Sequence, residues 1–199
     1  MTRLTVAGLK DHYRALFAQH GDDPMAAQTS AEGQAFRYQK LLQIGDLRGR
    51  SVLEVGCGVG TLYPLLKRQF PSARYTGVDV VPEMIDCAAR KHSDARFRCV
   101  DLTESDLDES FDYVLMSMLF NNRTDGAEDF LRELTERAFA HATVGLGFNF
   151  LSRYVNFSDD AMAYHDPAQV LTHCVERLSP KVAMEHHYAR CDVAVFVYR

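Results

Sequence analysis

From Ser51 onward, short runs of apolar residues alternate with stretches in which apolar positions recur every three or four residues. The short runs predict strands at Ser51–Val55, Arg74–Val78, Ala95–Val100, Phe111–Met116 and Thr143–Asn149. Between several of them the helical spacing covers Thr61–Phe70, Pro82–Lys91 and Gly126–Ala140. Pro82 suits the first turn of its helix, where a missing N–H costs nothing. Strands alternating with helices predict a mainly parallel sheet with right-handed crossovers. The rhythm breaks at the end. Lys181–Tyr188 and Asp192–Tyr198 are two β-rich runs only a few residues apart, which permits a hairpin but no parallel crossover. The sheet is therefore expected to finish with an antiparallel edge.

The first forty-odd residues follow another pattern. Val6, Leu9, Tyr13, Leu16 and Phe17 fall at helical spacing, and Gly21-Asp22-Asp23-Pro24 closes that helix. A second helix has Thr29 or Ser30 as N-cap, Glu32 close behind, and Phe36, Leu41 and Ile44 as apolar positions. Neither belongs to a βαβ unit, so both are expected across the open edge of the sheet as a lid. The expectation is one domain over 1–199, with a helical lid at 1–44 and an α/β core at 45–199.

Composition narrows the function classes. The chain has 199 residues, 47% of them hydrophobic, which suits a single filled core. A net charge of −5 and the lack of clustered bases argue against a nucleic-acid partner. Five cysteines without a CxxC spacing point to reduced thiols, with no disulfide frame and no metal site. No run reaches the length of a membrane span and no apolar signal core opens the chain, so no membrane partner and a cytoplasmic location are expected.

Residues Val52–Gly60 read VLEVGCGVG, and Asp79 stands at the end of the next apolar run. A strand, a glycine turn, a helix and an acid at the next strand end are the grammar of nucleoside binding in a doubly wound sheet. Together with Asp101 in FRCVDL and the strand FDYVLMSMLF, these segments resemble successive motifs of the class I S-adenosylmethionine-dependent methyltransferases. The likeness covers roughly residues 45 to 199. It implies an α/β, doubly wound, Rossmann-like seven-stranded sheet, mostly parallel with an antiparallel C-terminal hairpin, beneath the N-terminal lid helices. The spacing is G-x-G-x-G, with Thr61 where the last glycine of a dinucleotide fingerprint would sit. Glu54 would repel a pyrophosphate but can face a cationic amino-acid moiety, which S-adenosylmethionine carries.

The resemblance implies roles for individual residues. Gly56, Gly58 and Gly60 would let the backbone pass close to the methionine and ribose portions. Glu54 would orient the turn or reach the ammonium. Asp79 would accept hydrogen bonds from both ribose hydroxyls. Val80 and Met84 would pack on the adenine, with ordinary core packing as the rival reading. Asp101 and the Leu102 backbone would recognise the adenine edge, and Ser117 would meet the donor's amino-acid end.

The acceptor is less legible. No proline pair follows the fourth strand, where Phe120-Asn121-Asn122-Arg123 stands. The default is methyl transfer to an oxygen or nitrogen of a small anionic or hydroxylated molecule. Its wall would draw on Tyr13, Gln34, Arg37 and Tyr38, on Asn121 and Arg123, and on Tyr164 in the long connection NFLSRYVNFSDDAMAYHDP. His165 is the best single candidate for a base, because histidine titrates nearest neutrality; the rival is a surface or helix-start residue beside Asp166-Pro167. Two other classes stay open: a donor-binding homologue without transferase activity, and a nicotinamide-dependent oxidoreductase.

Overall fold

The computed structural model describes residues 4–186 and 191–199. In chain order the elements are β1 (Leu4–Thr5), α1 (Leu9–His20), a one-turn helix at Pro24–Ala27, α2 (Ala31–Leu41), β2 (Ser51–Val55), α3 (Leu62–Gln69), β3 (Arg74–Asp79), α4 (Pro82–Lys91) and β4 (Arg96–Cys99). They continue with β5 (Phe111–Met116), β6 (Thr124–Asp125), α5 (Ala127–Ala140), β7 (Ala142–Leu151), α6 (Pro167–His173), a π-turn at Cys174–Leu178, β8 (Val182–Glu185) and β9 (Asp192–Tyr198).

Seven strands form one sheet in the order β4-β3-β2-β5-β7-β9-β8. β4, β3, β2, β5 and β7 run parallel, and β9 lies antiparallel to both β7 and β8. The doubly wound sheet with its antiparallel C-terminal end is thus as anticipated. The strand order reverses direction between β2 and β5, and in such sheets ligands bind beyond the carboxyl ends at that switch point.

Alternating side chains divide the core between the two faces. Val114, Met116, Phe148 and Phe150 pack with Leu131, Leu134 and Phe139 of α5. Val52, Tyr113, Leu115 and Phe196 pack on the other face with Leu41 of α2 and Leu62 and Leu66 of α3. Fully burying each such side chain stabilises the fold by roughly 1.5–3 kcal/mol. Glu54 has the parity of Val52, so the pleat directs a carboxyl into the second layer.

Several features depart from the sequence reading. β7 runs past Asn149, because Phe150 and Leu151 still pair with Val193 and Asp192. The β-run expected at Lys181–Tyr188 forms β8 only over Val182–Glu185, and its His187 and Tyr188 lie outside the described residues. The first helix begins only at Leu9, and Val6 precedes it. α2 starts as read, with the Ser30 hydroxyl accepting from Gly33 N–H at 3.1 Å. α6, capped by Asp166, and the two-residue parallel pairing of β1 with β6 were not anticipated.

The N-terminal segment is fastened at its margins. α1 buries none of its residues. Arg14 pairs with Glu83 at 3.1 Å, Lys91 with Asp22 at 2.6 Å, and β1 pairs with β6. α2 is seated more deeply through Gln34, Tyr38 and Leu41. Among the described residues no helix is long and apolar enough to cross a membrane.

Candidate functional site

A cavity of about 440 Å³ opens at the carboxyl edge of the sheet over the switch point. Its floor is the turn after β2. There Gly58 has φ +53° and nothing within 4 Å of where a Cβ would stand, so the backbone presents a bare, open surface. Gly60, at φ +78°, serves packing instead: a Cβ there would lie 3.0 Å from both His92 and Phe97. Gly56 is overlain by the Leu119 side chain.

Asp79 ends β3 beside this turn. Its Oδ2 accepts from Gly58 N–H at 2.8 Å and its Oδ1 from Val81 N–H at 2.9 Å. Burial nevertheless raises its carboxyl above the ordinary range. Asp101 is held similarly, its Oδ1 accepting from the Thr103 N–H at 2.9 Å and the Thr103 hydroxyl at 2.6 Å. Beside the end of β5, Asn149 of β7 organises the wall. Its Nδ2 lies 3.3 Å from the Ser117 hydroxyl, and its Oδ1 accepts from Met118 N–H at 2.8 Å. Met118 is held at φ +61°, uncommon for a side chain of that size.

Glu54 lies behind the turn and is buried. The Tyr75 hydroxyl donates to its Oε2 at 2.5 Å, while Oε1 has no hydrogen-bond partner. Burial pushes the carboxyl up to about 8, opposed by the phenols of Tyr75 and Tyr38.

Of the residues singled out from the sequence, Gly56, Gly58, Asp79, Val80, Met84, Asp101, Leu102, Ser117, Tyr13 and Tyr38 line this one cavity. Glu54 and Gly60 stand outside it. The remaining residues are placed elsewhere, each for a visible reason. Arg37 turns away to make a two-toothed pair with Asp192 at 2.5 and 3.1 Å. Arg123 is half-exposed, 3.5 Å from Asp160. The Tyr164 hydroxyl accepts from Asp159 N–H at 3.1 Å in the loop after β7. Asn121 does not reach the cavity lining.

His165 also requires correction. It is neither at the cleft nor a surface residue. It is 3% exposed, with Nε2 2.9 Å from Phe120 O and the Phe150 ring packed edge-on. Burial lowers its pKa, so the ring is held neutral in the core. Periodicity in the long connection could not show this, because the Ser152–His165 bridge that pulls the loop onto the sheet is a long-range pairing.

Tyr13 does reach the cavity, its hydroxyl accepting from Asn122 Nδ2 at 2.5 Å, and burial pushes the phenol up to about 12. Gln34, Met118 and Leu119 complete the inner wall. Among the described residues no cluster of three or more potential metal ligands is present.

A doubly wound sheet with an open glycine turn and an acid at the next strand end defines a class of α/β proteins that bind ligands at this edge. Comparison with known proteins specifies the family. The family described as "Methyltransferase domain" matches residues 52–138. A Mycobacterium tuberculosis protein, Rv1506c, that carries a provisional methyltransferase name is 30% identical over 156 residues, covering 74% of this chain and 92% of that protein. The malonyl-[acyl-carrier protein] O-methyltransferase of Acetivibrio thermocellus is 38% identical over 85 residues, 40% of this chain but only 30% of that enzyme. Among solved structures, the magnesium protoporphyrin IX methyltransferase of Synechocystis PCC 6803 with bound SAH superposes with a TM-score of 0.66. It is 18% identical, over 98% of this chain and 96% of that one. The chain belongs to the methyltransferase family.

Proposed function

We propose that the chain transfers a methyl group from S-adenosylmethionine to an oxygen or nitrogen atom of a small molecule, by in-line displacement within the cleft. The observation that carries this reading is the convergence of Gly56, Gly58, Asp79, Asp101, Leu102 and Ser117 on one cavity at the switch point. In this reading residues 1–199 act as one domain, with 1–44 as the lid over the core.

The residues present fit the donor. Each Asp79 oxygen accepts one backbone N–H and keeps a lone pair for a ribose hydroxyl. Val80 and Met84 offer an apolar wall for the adenine, and Asp101 with Leu102 stands at its polar edge. The bare face of Gly58 leaves room for close passage. Glu54, buried behind the turn and outside the cavity, supports the turn in this reading and does not itself contact the donor.

Bound there, the donor supplies an activated methyl carbon on a sulfonium. The chain's own task is to align the acceptor and exclude water, which can contribute several kcal/mol to the rate. No histidine lines the cleft among the described residues, and Tyr13 keeps its proton at neutral pH. In this reading the acceptor gives no proton to a histidine or a tyrosinate of the cleft. Calorimetry with S-adenosylhomocysteine and with NAD tests the reading. Binding of the sulfur nucleoside alone supports it, and binding of NAD alone overturns it.

A further inference from the structure

Residues 4–44 are held to the core in two different ways. α2 and the residues after it are built into the second layer of the sheet. Tyr38, Leu41, Leu42, Ile44 and Leu47 are buried there, and Arg37 and Lys40 pair with Asp192 and Glu185. Residues 4–28 lie nearer the surface. α1 buries none of its side chains, and the partly buried Tyr13 and Phe17 pack on a small separate cluster of Ala26, Val81 and Met84. The break between the two falls at Gln28, whose backbone is left-handed at φ +53°. Just beyond it, the Thr29 hydroxyl accepts from Arg37 Nη1 at 3.2 Å and Ser30 caps α2, so both belong to the seated part.

The outer segment crosses the cleft. Leu9, Tyr13, Pro24 and Ala26 roof the cavity that Gly58 and Asp79 line from below. Its ties lie on both flanks. On one side, Arg14 reaches Glu83 in the first turn of α4 and Asp22 reaches Lys91 in the last, in ion pairs whose side chains are all partly exposed. On the other, β1 pairs with β6 over two residues, and the Asn122 amide donates to the Tyr13 hydroxyl. Exposed ion pairs contribute little and weaken with salt, and a segment with few buried contacts opens before the core does.

We infer that residues 4–28 form a strap that opens as a unit about Gln28 while α2 stays seated, and that the methyl donor and its product enter and leave through this opening. This rests on the donor reading given above. A nucleoside held at Gly58 and Asp79 lies under the roof, so release of the strap precedes its departure. Arg14, Glu83 and Lys91 stand outside the cavity lining, so the two ion pairs act on the strap alike in the empty and the occupied protein. Loosening them should raise the rates of entry and exit together and leave affinity unchanged.

Amide hydrogen exchange and surface plasmon resonance on the full chain test the strap and the passage separately. The α1 amides should exchange ahead of those of α2. In the double variant Glu83→Gln/Lys91→Gln they should exchange about 2- to 30-fold faster still, the range for two exposed ion pairs, with α2 unchanged. The same variant should speed both binding and release of S-adenosylhomocysteine by that factor, at a constant Kd. Equal protection of α1 and α2, or an α1 that exchanges no faster in the variant, overturns the strap. Faster release without faster binding overturns the passage, because the pairs would then act on affinity alone, and unchanged rates overturn it too. If the parent protein binds no S-adenosylhomocysteine while α1 still exchanges ahead of α2, the donor reading fails and the hinged strap stands.

Discussion

Glu54→Gln isolates the energetic effect of one buried carboxyl. Glu54 has an ordinary value of 4.5 and is pushed up to about 8 by burial in the folded protein. Between those limits the folded state holds a proton that the unfolded chain has released. Stability must therefore fall as pH rises through that window. At roughly 1.4 kcal/mol per unit the full span sets a ceiling of about 5 kcal/mol, of which about 3 to 4 kcal/mol falls between pH 5 and pH 8. Gln has the same shape and can still accept from the Tyr75 hydroxyl, but it does not titrate. Urea unfolding followed by circular dichroism at pH 5, 6, 7 and 8 would give both stability curves. The parent should lose stability relative to the variant by that amount across the range. Asp79 is raised in the same direction and is present in both proteins, so its share cancels in the difference. Parallel curves would refute the claim that Glu54 is buried in its neutral form.

The turn glycines should separate binding from stability. Gly58→Ala should weaken S-adenosylhomocysteine by more than its cost to folding, of order 1–2 kcal/mol for a left-handed alanine. Gly60→Ala should lower the melting temperature more than Gly58→Ala, since its Cβ meets His92 and Phe97 as well. Reversed rankings in calorimetry and thermal unfolding would reject the division of labour. His165→Ala should destabilise the protein by about 1–3 kcal/mol through lost packing and a lost hydrogen bond, with nucleoside affinity unchanged. A stable variant with impaired binding would put the ring back at the cleft.

The strands after Ser51 were legible because the pleat forces alternation that burial then reinforces, as in Tyr113, Val114, Leu115 and Met116. Asp79 and Asp101 were legible for a similar reason. In a doubly wound sheet, a residue at a strand's carboxyl end has few places to go. The acceptor-side guesses had no such constraint. Arg37 and Tyr38 are adjacent in sequence but point about 100° apart around α2, and which of the two faces the cleft depends on how α2 packs against the sheet. β1 and β6 are two residues each, too short to show a period, and their pairing joins positions 120 residues apart. The left-handed backbone at Met118 carries no sequence signal at all. It is accompanied by two hydrogen bonds from Asn149 of the neighbouring strand, one to Met118 N–H and one to the Ser117 hydroxyl.

The strand order has a consequence for biosynthesis. β9 follows β8 in the chain but lies between β7 and β8 in the sheet. Until residues 192–198 leave the ribosome, β7 presents an open edge over Gly145–Leu151, carrying Phe148 and Phe150, a template for pairing with other chains. The same residues bring Asp192, the two-toothed partner of Arg37 on α2. A nascent chain halted at β8 would hold every glycine and acid of the cleft. It would still expose an unpaired edge, and α2 would lack its contact with Asp192.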